Sequence, residues 1–113
     1  MTRHDDIIRL RQMLDHAREA VKMAEGKERT ALRNDRILEL ALIRLIEIVG
    51  EAAVKVSTDG KAKFSDVPWP QIIAMRNRLI HGYDAVDLDV LWDTIENDLP
   101  DLISKLEKEL SKI

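Results

Sequence analysis

Residues 75–83 read Met-Arg-Asn-Arg-Leu-Ile-His-Gly-Tyr and end a predicted helix that begins at Pro68 or Pro70. Proline suits a first helical turn because its missing N–H would have no partner there, and Gly82 supplies the backbone conformation that ends many helices. At about 100° per residue, the apolar side chains of this helix fall on two neighbouring lines: Ile72, Met75 and Leu79, then Ile73 and Ile80. Arg76 projects between these lines, so a charged side chain points into the side that a bundle would bury.

The composition limits the fold class. The chain has 113 residues, of which 45% are apolar and 35% are charged, with four Gly and three Pro. These values favour one mostly helical domain over residues 1–113. We therefore expect an all-α, up-and-down bundle of four main helices, with a possible fifth after Pro100.

Charge and cysteine content limit the environment and the ligands. The absence of Cys excludes a disulfide framework and a thiolate metal site, and it fits a reducing cytoplasm. Because the net charge is −3, any RNA contact must be a local groove, which two chains could form together. His4, Asp5 and Asp6 are adjacent at a helix start and do not face one point, so we expect no metal there. Residues 1–6 lack the apolar core of a signal peptide, and residues 38–56 carry too many charges to span a bilayer.

Hydrophobic periodicity predicts the two helices that precede the 75–83 segment. The first helix runs from about Asp5 to Ala24, and Gly26 ends it. The second helix, capped by Thr30 or Asn34, runs to about residue 57. It is apolar around most of its girth, so it should be central or should face a partner chain.

The connecting segments carry local signals. Residues 57–67 are predicted to form a loop with Asp59-Gly60 as its turn. Asp87 is the predicted cap of the helix that follows the 75–83 segment. Pro100 should kink or break that helix near Asn97, because it has no N–H to donate.

Two single residues indicate packing contacts. Gly50 lies inside the second helix, where it costs about 1 kcal/mol relative to Ala, so we expect it to permit the close approach of another helix. Trp69 should pack on the end of the bundle, which is an ordinary use of a large aromatic side chain.

One narrow polar line interrupts the second helix: Arg44, Glu47, Glu51 and Lys55, at steps of three, four and four. This line could be a solvated stripe with a favourable Glu51–Lys55 pair. It could also supply an anion, Glu47 or Glu51, to Arg76, because an unpaired buried guanidinium costs several kcal/mol. We favour the second interpretation.

The residue types of the 75–83 segment suit chemistry at a phosphate. Arg76 offers a forked, permanently charged donor, and His81 can move a proton near neutral pH. Asn77 can orient a hydroxyl or a phosphate oxygen. Together they are adequate for RNA cleavage by the ribose 2′-OH, without a metal or another cofactor. Arg76 and His81 are about 140° apart on a regular helix, so they converge on one ligand only across a groove or if the last turn unwinds at Gly82. The same residues are also compatible with ordinary architecture, an Arg paired with a carboxylate and a His at a helix end.

The segment and its surroundings resemble a known superfamily. Arg76, four residues, then His81, with Asn77 after the Arg and Tyr83 two residues after the His, is similar to the R-x4-H-x-Y signature of the HEPN superfamily. More narrowly, it resembles the HepT-like (DUF86) ribonuclease toxin family. Further segments agree in order and spacing over roughly residues 6–106: Gly50-Glu51-Ala52, Val67-Pro68-Trp69, and Val86-Asp87 through Trp92.

The resemblance implies a HEPN-like bundle and a metal-independent endoribonuclease, the toxin component of a HepT/MntA-type toxin–antitoxin pair. Such proteins are typically homodimers, with the two R-x4-H motifs in a shared cleft. In this interpretation His81 is the general base or acid, and Arg76 stabilises the charged transition state. Asn77 orients the phosphate or Arg76, with Glu51 or Glu47 in support.

Tyr83 has a separate predicted role. The resemblance implies that a cognate minimal nucleotidyltransferase, the antitoxin, transfers a nucleotide to this tyrosine (AMPylation). A bulky phosphate-bearing group beside Arg76 and His81 would block RNA. Tyr83 packed at the bundle end is the alternative.

Two other function classes remain open at the level of sequence. The chain could be a non-catalytic subunit that binds nucleotide and a minimal nucleotidyltransferase, with Arg76 as a phosphate clamp. It could also be a structural bundle in which Glu51 neutralises Arg76.

Overall fold

The computed structural model describes residues 3–81 and 86–113. In chain order the elements are α1 Arg3–Ala24, α2 Ala31–Asn34, α3 Arg36–Lys55, α4 Thr58–Lys63, α5 Trp69–His81, α6 Leu88–Asp93, a π-helical turn Thr94–Asp98, and α7 Leu99–Ser111. No strand occurs in these two ranges. The predicted all-α bundle is therefore confirmed, with α1, α3, α5 and the run from α6 to α7 as its four main members. Over the same residues, none of the helices is both long and apolar enough to cross a lipid bilayer.

The core lies between the four main members of the bundle. Helix α3 is central, because it packs against both α1 and α5, while α1 also contacts α7. Fully buried apolar side chains fill these contacts: Leu10, Met13, Leu42, Ile46, Val49, Leu99 and Leu106. A helix packed between two neighbours needs apolar residues around much of its girth. This position explains why the sequence of α3 is apolar on most sides.

Two helix ends follow the signals in the local sequence. Helix α1 ends where Gly26 adopts a φ of +77°, the left-handed conformation that glycine adopts readily. The Asp87 carboxylate caps α6 by accepting hydrogen bonds from the N–H groups of Asp89 at 2.9 Å and Val90 at 3.3 Å. Both features are as predicted.

The start of the second predicted helix was wrong. A short helix, α2, comes first, and α3 begins only at Arg36. Asp35 is the cap: its backbone is extended and its carboxylate accepts a hydrogen bond from the N–H of Leu38 at 3.0 Å. Thr30 has helical backbone angles and makes no side-chain cap. A residue with an extended backbone can turn its side chain back to a free N–H of the first helical turn, as Asp35 does. Thr30 has a helical backbone and does not make this bond.

The predicted loop at residues 57–67 contains a helix, α4, so this prediction was also wrong. Ser57 caps α4, because its Oγ accepts a hydrogen bond from the N–H of Gly60 at 3.0 Å. The buried Asp6 carboxylate accepts from the Ser57 N–H at 2.9 Å and from the Ser57 hydroxyl at 2.6 Å. Asp59 and Gly60 therefore lie in a helical turn fixed by α1, a contact that local turn signals do not reveal.

The C-terminal run shows how the chain accommodates Pro100. The predicted irregularity near Asn97 is a π-helical turn, after which α7 continues with Pro100 in its first turn. Proline cannot donate to the carbonyl four residues earlier, and the wider turn accommodates this loss without ending the helix. The possible fifth helix is thus α7, continuous with α6.

Trp69 packs as predicted. Its side chain is buried, and its Nε1 donates to the carbonyl oxygens of Phe64 at 3.1 Å and Lys61 at 3.2 Å. These bonds fix the start of α5 to the end of α4, and so position the helix that carries the 75–83 segment.

Candidate active site

Helix α5 buries the apolar line that its sequence predicts, formed by Ile72, Met75 and Leu79. Arg76 is half-buried beside this line. A predominantly apolar helix face thus carries one guanidinium into the contact between α5 and α3, as the sequence predicted.

Gly50 is the point of α3 that Arg76 touches. A Cβ built on Gly50 would lie less than 3.0 Å from both Cβ and Cγ of Arg76, closer than real Cβ atoms approach, and 3.4 Å from its Cδ. The aliphatic part of the Arg76 side chain therefore packs directly on the backbone of α3 at Gly50. The prediction that Gly50 permits another helix to approach is confirmed, and that helix is α5.

The guanidinium of Arg76 is only partly satisfied by its neighbours. Its Nη1 donates a hydrogen bond to Oδ1 of Asn77 at 3.1 Å. Its Nε is buried and has no hydrogen-bond partner among the described residues. A buried donor without a partner costs about 1–3 kcal/mol, so the described residues do not fully compensate the burial of this guanidinium.

The expected ion pair between Arg76 and a carboxylate of α3 is absent from the described residues. Glu51 instead accepts from Nη1 of Arg44 at 3.3 Å, and neither Glu51 nor Glu47 lies within 4.0 Å of the Arg76 guanidinium. The rotation of α3 about its own axis explains why the predicted ion pair does not form. Gly50 faces Arg76, and Glu51 lies about 100° further around the helix, toward solvent. The alternative Glu51–Lys55 pair is replaced in the same way by the pair with Arg44.

The backbone of His81 closes α5, but its side chain lies outside what the structure describes, as does Tyr83 within residues 82–85. Helix α5 is helical up to His81 and does not unwind earlier. Positions 76 and 81 are therefore about 140° apart around the same helix. The structure places Arg76 and Asn77 within hydrogen-bonding distance. That Arg76 and His81 act on the same ligand stays a prediction.

Arg78 belongs to a different surface. It is exposed and lines a groove between α5 and α7 with Met75, Leu102 and Lys105, and this groove includes neither Arg76 nor Asn77. Arg78 therefore provides a matched control for Arg76.

In the part of the chain that the structure describes, no three His, Asp or Glu side chains are arranged to hold a metal ion.

Sequence reasoning missed two contacts at this site. The predicted partner of Arg76 was an acidic side chain. In the structure Arg76 packs on Gly50 and donates a hydrogen bond to Asn77. The available signal was an interior glycine in an otherwise apolar helix. That signal indicates a close approach but does not identify the approaching residue.

The fold and the site define a class of small helical proteins. A half-buried Arg contacts the central helix of a bundle and donates a hydrogen bond to the Asn that follows it, and a His ends the same helix four residues after that Asn. The chain belongs to the HepT-like ribonuclease family: the model of that family, Ribonuclease HepT-like, matches residues 13–109, which include the whole 75–83 segment.

Curated relatives agree with the family match. A protein of Methanocaldococcus jannaschii with a provisional RNase name is 31% identical over 110 residues, which are 97% of this chain and 97% of that protein. A protein of Thermococcus cleftensis, provisionally named ribonuclease HepT, is 42% identical over 74 residues, 66% of this chain and 67% of its own length. A third, from Caldanaerobacter subterraneus subsp. tengcongensis and also provisionally named an RNase, is 37% identical over 78 residues, 69% of this chain and 70% of its own. No solved structure matches the chain.

Proposed function

We propose that this protein is a metal-independent endoribonuclease and the toxin of a toxin–antitoxin pair. The observation that carries the proposal is the state of Arg76: its stem is fixed on Gly50, one nitrogen is bonded to Asn77, and its Nε is buried without a partner among the described residues. Arg76 is only half-buried, so a phosphate can reach the outer part of its guanidinium and accept a charge-assisted hydrogen bond there. Family membership and the RNase names of the relatives support RNA as the source of the phosphate.

The proposed reaction is an internal transesterification. His81 accepts the proton of a ribose 2′-OH, or donates one to the leaving 5′-oxygen, which is worth roughly 10²- to 10⁴-fold in rate. The 2′-oxygen forms a bond to phosphorus while the bond to the 5′-oxygen breaks. Arg76 stabilises the additional negative charge on the phosphate oxygens, and Asn77 holds Arg76 in place. The products are a 2′,3′-cyclic phosphate and a 5′-hydroxyl.

A homodimer would bring the two catalytic groups together. Because positions 76 and 81 lie about 140° apart on α5, one phosphate is reached by both most simply across a cleft between two chains. Helix α3 carries exposed apolar residues along one side: Ile37 at 82%, Leu40 at 49% and Val54 at 46% exposure. Such residues on an otherwise charged face support an interface with a second copy.

The proposed antitoxin is a minimal nucleotidyltransferase that modifies Tyr83. Its reaction would join the tyrosine oxygen to the α-phosphorus of ATP and release pyrophosphate. The proximity of Tyr83 to His81 in sequence supports this proposal, because an added phosphate would occupy the anion site that Arg76 offers to RNA. Mass spectrometry of the protein after incubation with its partner and ATP tests it, and an unmodified Tyr83 would count against it.

The nuclease is tested by incubating purified protein with RNA in EDTA. We expect cleavage that ends in 2′,3′-cyclic phosphates, with a loss of at least about 10²-fold in His81→Ala and in Arg76→Ala. The matched control is Arg78→Ala, which removes an exposed Arg two residues along the same helix and should change the rate by less than about threefold.

Wild-type rates in His81→Ala would remove the catalytic assignment. Absence of cleavage, together with nucleotide binding that Arg76→Ala abolishes, would instead support the non-catalytic binding subunit.

A further inference from the structure

Gly50 occupies a position where its backbone conformation gives no reason for glycine. It lies in the middle of α3, and among the described glycines only Gly26 has a positive φ. Glycine is the poorest helix former after proline, and a larger residue would stabilise an isolated α3. The reason for glycine must therefore be space on the side of α3 that faces α5.

The space is occupied by the part of Arg76 that cannot move independently. A Cβ at position 50 would overlap Cβ and Cγ of Arg76, and the position of that Cβ is fixed by the backbone of α5. A change of rotamer at the far end of the side chain would not relieve the overlap. A methyl group at position 50 therefore has to move α5, and Arg76 with it, by on the order of 1 Å.

We propose that Gly50 is a positioning residue for Arg76, and this proposal rests on the nuclease proposed above. The bare α3 backbone sets the depth of the Arg76 stem. That depth places Nη1 on Asn77, buries Nε, and so sets how far the guanidinium extends toward a phosphate. A displacement of about 1 Å in a catalytic group can lower the rate by about 10²-fold, so a single methyl group should be sufficient to disable the site.

Gly26 supplies a control for this proposal. Its replacement by Ala should also cost stability, because its φ of +77° is unfavourable for a residue that carries a Cβ. Gly26 follows the end of α1, and a Cβ there would meet no atom within 4 Å. Gly26→Ala should therefore lower stability without moving α5 or Arg76.

The experiment compares RNA cleavage by wild type, Gly50→Ala and Gly26→Ala at a temperature where circular dichroism shows all three folded. We expect Gly50→Ala to lower kcat by about 10²-fold with KM changed less than about threefold, because Arg76 acts in the transition state. Gly26→Ala should lower the Tm and leave kcat within about threefold. If Gly50→Ala retains wild-type kcat, or loses no more than Gly26→Ala, the positioning role is overturned.

A second variant keeps the proposal testable if Gly50→Ala does not fold. Arg76→Gly removes the atoms that the new methyl group would meet, so Gly50→Ala added to Arg76→Gly should leave the Tm of Arg76→Gly unchanged or raise it. A double variant that unfolds at a clearly lower temperature would show that another contact requires Gly50, and would overturn the proposal. Because this measurement needs no RNA, it stays separate from a failure of the nuclease itself, which would appear as an inactive wild type.

Discussion

At the scale of single residues, Arg76 is held by hydrophobic packing and one neutral hydrogen bond, without an anion among the described residues. A guanidinium paired with a buried carboxylate would be more stable and less available, since the carboxylate would compete with any phosphate. Asn77 has almost the shape of Asp but no charge. This difference lets Asn77 orient Arg76 while the positive charge remains available to a ligand.

Asn77→Asp tests that argument. The new carboxylate should pair with Arg76, so we expect an unchanged or higher Tm and a loss of cleavage of at least about 10²-fold, because a fixed anion then competes with the phosphate. The control is Asn97→Asp, which makes the same change at an exposed position of the π-helical turn. Thermal unfolding and RNA cleavage are the measurements, and full activity in Asn77→Asp would contradict the argument.

At the scale of elements, α4 depends on a residue that is distant in sequence. Asp6 accepts both hydrogen-bonding protons that Ser57 offers, and Ser57 in turn caps α4. The start of α5 is then fixed to α4 through Trp69. A carboxylate in α1 thus contributes to the position of the helix that carries Arg76.

Asp6→Ala should therefore destabilise α4 specifically. It leaves the N–H and the hydroxyl of Ser57 without their acceptor, at a cost of about 1–3 kcal/mol in the free energy of unfolding. Amide hydrogen exchange should show the largest loss of protection in residues 58–63. The control is Asp15→Ala, an exposed carboxylate on the same helix, which should change stability by less than about 0.5 kcal/mol. Equal effects of the two substitutions would contradict the proposed role of Asp6.

The sequence predicted those elements whose signals are local, and it failed where a distant residue decides. The cap at Asp87, the end of α1 at Gly26 and the buried line of α5 could be read directly from residue type and spacing. Helix α4 was missed because its cap is fixed from Asp6. The partner of Arg76 was assigned incorrectly because the phase of α3, which directs Gly50 toward α5 and Glu51 toward Arg44, depends on packing with both neighbouring helices.

At the scale of the whole molecule, the separation of positions 76 and 81 around α5 distinguishes two arrangements of the site. If Arg76 of one chain acts with His81 of the other, each homodimer holds two composite sites. If both residues act from one chain, each protomer holds its own site. The two arrangements predict different results for mixtures of inactive variants.

Mixing Arg76→Ala with His81→Ala measures this difference. If equal amounts of the two variants exchange subunits freely, half of the dimers contain one chain of each variant. In the composite arrangement each of these dimers has one intact site out of two, so activity should recover to about a quarter of wild type. For sites within one chain, no activity returns. The exposed apolar side of α3 supplies the control: Ile37→Glu in both variants should prevent recovery by weakening the dimer, whereas the same change at Ile113, also exposed, should not. Recovery that survives Ile37→Glu would locate the interface elsewhere.

The bond between Asp6 and Ser57 also has a consequence for the order in which the protein assembles. The two residues are separated by 51 positions, and the segment that they enclose contains most of α1 and all of α2 and α3. On a ribosome, these three helices and the cap of α4 can come together as soon as Gly60, whose N–H bonds to Ser57, has emerged, while residues 75–83 are still inside the exit tunnel. The surface of α3 that receives Arg76 is then complete before the arginine arrives.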